Sequence, residues 1–285
     1  MSEGHRLGRA ELHRILETHG LSPSKALGQN FVADPNTVER IARLAGVGAG
    51  DDVLEIGAGL GSLTLALAAT GANVTAIEVD RYLIPVLREI VPGTVTIIEG
   101  DALELDLNQI LVADHRYTLV ANLPYNVATP LVMSLLEQVP AVTRMIVMVQ
   151  REVAERLAAS PGSRTFAGVT ARRSYFATAR VVGHVSAEVF IPKPRVASSL
   201  VEITRRPTPA VDPAVAPYAD IAALIRAGFL TRRKMLRRSF AGVISEEGFA
   251  YAGIASTQRA ETIEIEAWGR LAEWKRSQPN TPTPN

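Results

Sequence analysis

The sequence predicts an α/β fold: a parallel sheet with helices on both faces, followed by a small helical domain. Three observations predict it. Short apolar runs alternate with helix-period segments from residue 51 to about residue 160, which is the pattern of a parallel sheet built from strand–helix units. The first run ends in a glycine-rich turn, "LEIGAGLGSLT". A proline-rich stretch, "PTPAVDPAVAP", separates this region from a C-terminal segment of purely helical periodicity.

Taken in order, "RAELHRILETHG" reads as a leader helix with Gly20 as its stop, and "LSPSKALGQNFVADP" as a loop before the helical "NTVERIARLAG". "DDVLEIGAG" is a strand ending in glycines, "SLTLALAATG" a helix closed by Gly71, and "NVTAIEVD" a strand ending in two carboxylates. The second round is "RYLIPVLREIV" as helix, "VTIIEGDAL" as strand, "LNQIL" as a short helix and "YTLVANLPYN" as strand. "PLVMSLLEQV", "RMIVMVQ" and "REVAERLAAS" continue the alternation, "PGSRTFAG" is a loop, and "GVTARRSYFATARVVGHV" is a helix running into a strand. "SLVEITRRP" closes the first domain, expected to span residues 1–206. Residues 207–285 are expected to form a small helical domain from "YADIAALIRAGFLTRRKMLRRSFAGVI", "SEEGFAYAGI" and "IEIEAWGRLAEW", with "SQPNTPTPN" as a disordered tail.

Composition excludes several classes. With 285 residues and 47% hydrophobic content the chain can bury a full core. It has no Cys, which removes disulfides, thiolate catalysis and Cys-based zinc sites and fits a reducing, cytoplasmic compartment. Neither a secretory signal nor an apolar run long enough to span a membrane is present. The net charge of +1 hides a local concentration, the five cations of "RRKMLRR". There Ile225, Phe229, Leu236 and Phe240 form an apolar stripe on one basic helix, with Arg233, Lys234, Arg237 and Arg238 as i, i+4 pairs on another face. Such a run suits either a solvated face or phosphate binding.

The candidate chemistry lies at the strand ends, where this topology binds ligands. Gly57, Gly59 and Gly61 are spaced G-x-G-x-G. That spacing lets a ligand approach bare backbone but differs from the dinucleotide fingerprint G-x-G-x-x-G. Glu78 and Asp80 end the next strand, where a carboxylate accepts hydrogen bonds from both ribose hydroxyls. Asp101 ends the third strand and is placed to accept from an adenine amino group. Glycines, carboxylate, carboxylate: the order suits an adenosine moiety without pyrophosphate, for which S-adenosylmethionine is the candidate. At the fourth strand end, Asn122, Leu123, Pro124 and Tyr125 combine amide and backbone acceptors for an exocyclic amine with a ring for stacking a turned-out base. The alternative is structural, with Asn122 capping the next helix and Tyr125 filling the core.

"KALGQNF", "LEIGAGLGSLT", "AIEVD", "GDAL", "NLPYN", "ERLAASPGSRTF", "VFIPKPRVASSLV" and "FLTRRKMLRRSF" together resemble the small-subunit ribosomal RNA adenine dimethyltransferases, over about residues 22–270. The resemblance implies a Rossmann-like class I S-adenosylmethionine-dependent methyltransferase domain and a C-terminal helical domain that contacts RNA or the ribosome. The implied activity is N6-dimethylation of two adjacent adenines in the 3′-terminal hairpin loop of 16S rRNA, on the 30S subunit or its precursor during ribosome biogenesis. A monomer is expected, and because methyl transfer from a sulfonium needs positioning and electrostatics rather than a strong acid, no metal and no dedicated base are expected. Cofactor contacts carried over by motif are Asn30, Val32, Gly57, Glu78, Asp101 and Asn122, with Gln29 beside them; target contacts are Asn122, Leu123, Pro124, Tyr125 and Phe190. Phe190 before a proline corner is equally a packing residue by its own pattern. The chain departs from the family pattern at Ala197-Ser198, at Arg238 and at "TFAG". Three other readings stand beside this one: a 23S rRNA adenine methyltransferase, a nicotinamide oxidoreductase and a non-catalytic ribosome-assembly factor.

Overall fold

The computed structural model describes residues 6–124 and 126–278. Tyr125, the first five residues and residues 279–285 of the proposed tail therefore lie outside the described residues. The chain divides into two compact units. The first comprises residues 1–154 and 180–204, the second residues 155–179 and 205–285.

The first unit opens with α1 (Arg9–Thr18), β1 (Phe31–Val32) and α2 (Pro35–Ala45). Asp34 caps α2 by accepting from the Thr37 amide, Pro35 sits in its first turn, and Gly46 ends it in the left-handed conformation. The strand–helix alternation then appears as β2 (Asp52–Ile56), α3 (Ser62–Ala68), β3 (Asn73–Glu78), α4 (Ile84–Ile90), β4 (Thr96–Glu99), α5 (Leu107–Ile110), β5 (Tyr117–Asn122), α6 (Ala128–Gln138), β6 (Val142–Gln150) and α7 (Arg151–Leu157). After α8 (Gly168–Phe176) come β7 (Ala177–Val185), β8 (Phe190–Ile191) and β9 (Ser198–Arg205). The seven-stranded sheet has the order β4-β3-β2-β5-β6-β9-β7. Neighbours from β4 to β6 are parallel, and β9 runs antiparallel to β6 with Val147 opposite Val201. The sheet is thus parallel except where the returning chain pairs at this edge.

Strand order reverses between β2 and β5, which opens a crevice at their carboxyl ends. Val53, Val74, Ala76, Val120, Ile146 and Met148 on the strands pack with Ile41, Ala42 and Leu67 from α2 and α3. The last turn of α2 is tied to the sheet by Arg144, which donates to the Leu44 and Ala45 carbonyls and, through Nε and Nη2, to Glu202 on β9. A second ribbon, unexpected from the sequence, pairs β1 with β8, placing Phe31 opposite Ile191 and Val32 opposite Phe190. Its strands are two residues long, too short for any alternation to show.

The second unit adds α9 (Tyr218–Leu230), α10 (Leu236–Ser239), α11 (Glu246–Ala252) and α12 (Ile265–Ser277) to α8. Residues 155–179, expected in the first domain, belong to it because Phe166, Ala171 and Tyr175 are buried in one core with Ile221, Ile225, Phe240 and Trp268. The single basic helix expected through residues 225–240 is corrected to two: α9 stops at Leu230, the Lys234 amide closes a turn on the Thr231 carbonyl at 2.7 Å, and α10 begins at Leu236. Arg233 and Lys234 lie in that turn, so they form no i, i+4 pairs with Arg237 and Arg238. The stripe residues Ile225, Leu236 and Phe240 are nevertheless fully buried.

Candidate functional site

The end of β2 turns through Gly57 and Gly59 at φ values of +80° and +58°, which side chains other than glycine resist. A Cβ on Gly59 would sit 3.1 Å from the Phe31 ring, and one on Gly57 would face the Asn122 carbonyl. Gly61 has a different role. Its Cβ would press against Leu87 and Val91 of the α4 region at 3.0 Å, so this glycine serves helix packing rather than ligand approach.

These turns form one wall of a cavity whose lining includes Gln29, Asn30, Val32, Gly57, Gly59, Glu78, Asn122, Leu123, Pro124 and Phe190. Ten residues expected at the site thus come together from five separate stretches of chain. Glu78 is 4% exposed and anchors the glycine turn: Oε2 accepts from the Gly59 amide at 2.7 Å and Oε1 from the Asp80 amide at 2.9 Å. Burial pushes its carboxyl above the ordinary range, while the Asp80, Gly59 and Val79 amides pull against that shift. Asp80 is a strut: it accepts from Gln29 Nε2 at 2.7 Å, and Gln29 Oε1 accepts from the Ser24 amide.

At the end of β5, Asn122 Nδ2 donates to the Asn30 carbonyl at 2.9 Å, joining the "GQNF" segment to the "NLPY" segment. The Pro124 carbonyl accepts from the Val127 and Ala128 amides at the start of α6. Leu123 is buried and donates its amide to Met148 on β6. Gly28, which no strand or helix period singles out, packs here; its Cβ would be 3.2 Å from Pro124 Cβ, at a φ of +64°. Phe190 is 1% exposed, both a core residue and part of the lining, so packing and site roles coincide.

Asp101 is placed differently. It is exposed two residues beyond β4, its Oδ1 accepts from the Leu103 amide, and it is not part of the cavity lining. The lining also includes Leu27, Ala58, Leu63 and Val79, apolar side chains that only the fold distinguishes from ordinary core. One carboxyl lies behind the glycine turn. Glu55 of β2 is 1% exposed beside Thr64, and burial raises its pKa to about 8 against the lowering pull of the Thr64 hydroxyl. Among the described residues no three His, Asp or Glu side chains are grouped to hold a metal, and no helix is long and apolar enough to cross a membrane.

In the second unit Arg233, Lys234, Arg237 and Arg238 are exposed, with no carboxylate partner among the described residues. Arg232 differs from them: it is held by Glu261 Oε2 and the Arg164 carbonyl, each at 2.7 Å. By sequence the second unit carries sixteen Lys and Arg against nine Asp and Glu, net +7, whereas the first carries fourteen against twenty, net −6.

Residues 21–277 match the family model described as ribosomal RNA adenine dimethylase. The chain belongs to that family. Relatives named ribosomal RNA small subunit methyltransferase A include those of Bifidobacterium longum subsp. infantis, 43% identical over 95% of this chain and 94% of its own, and of Cutibacterium acnes, 43% identical over 96% and 95%. Among solved structures, a dimethyladenosine transferase from Plasmodium falciparum superposes with a TM-score of 0.68 at 21% identity, covering 84% of this chain and 94% of its own. The 23S rRNA methyltransferase ErmE does so with 0.67 at 24%, covering 85% and 98%. Both likenesses carry the fold, a class I methyltransferase α/β architecture, and no more.

Proposed function

We propose that this member of the ribosomal RNA adenine dimethylase family uses S-adenosylmethionine to dimethylate N6 of two adjacent adenines in the 3′-terminal hairpin loop of 16S rRNA. Its partner would be the 30S subunit or a precursor, and it would act in the cytoplasm as a monomer. The observation that carries this reading is the convergence of an adenosine-type site, Gly57, Gly59 and Glu78, with the Asn122-Leu123-Pro124 edge in one cavity. Full-length identity to relatives named as small-subunit enzymes favours 16S over 23S rRNA.

The residues fit the cofactor. Gly57 and Gly59 bring bare backbone at positive φ into the cavity lining, and the Glu78 carboxyl, oriented by two amides, retains lone pairs for ribose hydroxyls. Asn30, Val32 and Gln29 line the same cavity, and Asp101, exposed and outside that lining, is assigned to the adenine amino group by the family motif alone. When bound, the cofactor supplies an electrophilic methyl on a sulfonium.

The chain's task is then to present the amine. An adenine N6 lone pair is delocalised into the ring, and acceptors that hold the N6 hydrogens favour a pyramidal nitrogen. Asn122 commits its Nδ2 end to Asn30, so acceptance falls to Oδ1. The Pro124 carbonyl is engaged by α6, so the second backbone acceptor is assigned to Leu123. Tyr125 and Phe190 are assigned to the base as stacking and packing surfaces. Catalysis on this account is positioning and electrostatics, without a dedicated base or metal. Arg233, Lys234, Arg237 and Arg238 are assigned to RNA phosphates.

Asn122→Ala tests the assignment. Turnover should fall about a hundredfold or more, the scale of a lost transition-state acceptor, while calorimetric affinity for S-adenosylmethionine falls far less. Equal loss of both would remove Asn122 from the reacting centre.

A further inference from the structure

The break between α9 and α10 is held in place from several sides. Thr231 Oγ1 and Ser239 Oγ lie 2.6 Å apart, Arg232 is pinned to Glu261 and Arg164, and the Leu236 and Arg237 amides donate to the Gln258 and Ser256 carbonyls. Leu236 anchors the far side in the core. A turn fixed in this way displays its outward side chains at set positions. Two of them are apolar: Leu230 is 74% exposed and Met235 39% exposed, immediately before and after the Thr231–Lys234 turn. Leu230 is the most exposed large hydrophobic residue among those described.

A single exposed leucine is ordinary. Two exposed apolar side chains bracketing a pinned turn, with Arg233, Lys234, Arg237 and Arg238 exposed within the same short stretch, residues 230–238, make a composite of apolar and cationic groups. Simple charge attraction would need only the cations. We propose that Leu230 and Met235 pack on the sugar and base surface of the RNA between the phosphates that the four cations bind, making this turn a reader of RNA shape as well as charge. Charge complementarity favours RNA as occupant: the four cations lack carboxylate partners among the described residues, and the surrounding unit carries net +7. The inference rests on the assignment of these cations to RNA under Proposed function.

Full-length Leu230→Ala/Met235→Ala and Arg233→Ala/Lys234→Ala would each be titrated with naked 16S rRNA, with 30S particles and with heparin, a polyanion lacking bases, across a salt series. Melting temperatures matched to wild type confirm folding, and Met235→Gln supplies a second, volume-conserving variant. The apolar double variant should weaken rRNA binding roughly tenfold, about one exposed side chain's worth of burial, with unchanged salt slope and unchanged heparin binding. The cationic variant should weaken both ligands and flatten the salt slope by about two. Unchanged rRNA affinity in the apolar variant, or equal loss on heparin, overturns the inference. Loss on 30S particles alone also overturns it and assigns the surface to a ribosomal protein. An inert Arg233→Ala/Lys234→Ala variant would instead overturn the assignment of the cations to RNA.

Discussion

At the scale of single residues, Glu55 has the sharpest consequence. It lies on β2, where burial above all raises its pKa to about 8, the Thr64 hydroxyl of α3 lowering it and the Glu78 carboxylate of β3 adding to the rise. The folded protein therefore holds a proton that the unfolded chain releases above the ordinary carboxyl value of 4.5. Stability is fully present below about pH 4.5, declines as pH rises towards 8 and is flat beyond. Urea unfolding at pH 5 and pH 9 should show wild type losing a few kcal/mol, on the order expected from linkage, and Glu55→Gln losing much less. Equal losses in both would mean that Glu55 is not the titrating group. Legible in the sequence at this scale were the strand-end residues, Glu78 and Asn122, because topology alone aims them at the crevice. Illegible were the burial of Glu55, which an acidic residue in a short apolar run does not announce, and the exposed placement of Asp101.

Among elements, α11 and α12 show how tightly helices are fitted in the second unit. A Cβ on Gly248 of α11 would lie 2.6–2.8 Å from three ring atoms of Trp274 on α12, a buried side chain with no slack to move. Gly248→Ala should therefore destabilise the protein by about 1–3 kcal/mol, the range for overpacking, although alanine is the better helix former by nearly 1 kcal/mol. Thermal unfolding checks the sign; a stabilised variant would show that the helices part easily. Long elements such as α2, β5 and β6 were legible from periodicity, caps and apolar runs. The α9–α10 break was not, since the apolar residues on both sides bury into one core and mimic a continuous stripe. Nor was the β1–β8 ribbon, whose pairing of "QNFV" with "VFIP" brings Val32 and Phe190 to the same cavity.

For the whole molecule, a parallel sheet with a site at its strand ends followed from strand–helix alternation, whereas the strand order and the excursion of residues 155–179 did not. Residues 155–179 interrupt the first unit in sequence and join the second through Phe166, Ala171 and Tyr175, and no linker composition marks that excursion. The two units have opposite net charges behind a chain total of +1, consistent with one serving the cofactor chemistry and the other an RNA surface. The most direct test of that account is to incubate the protein with methyl-labelled S-adenosylmethionine and ribosomal particles lacking the modification, then map the label. Dimethylation at two adjacent adenines near the 3′ end of 16S rRNA is the predicted result; label in 23S rRNA, or none in either RNA, would contradict it.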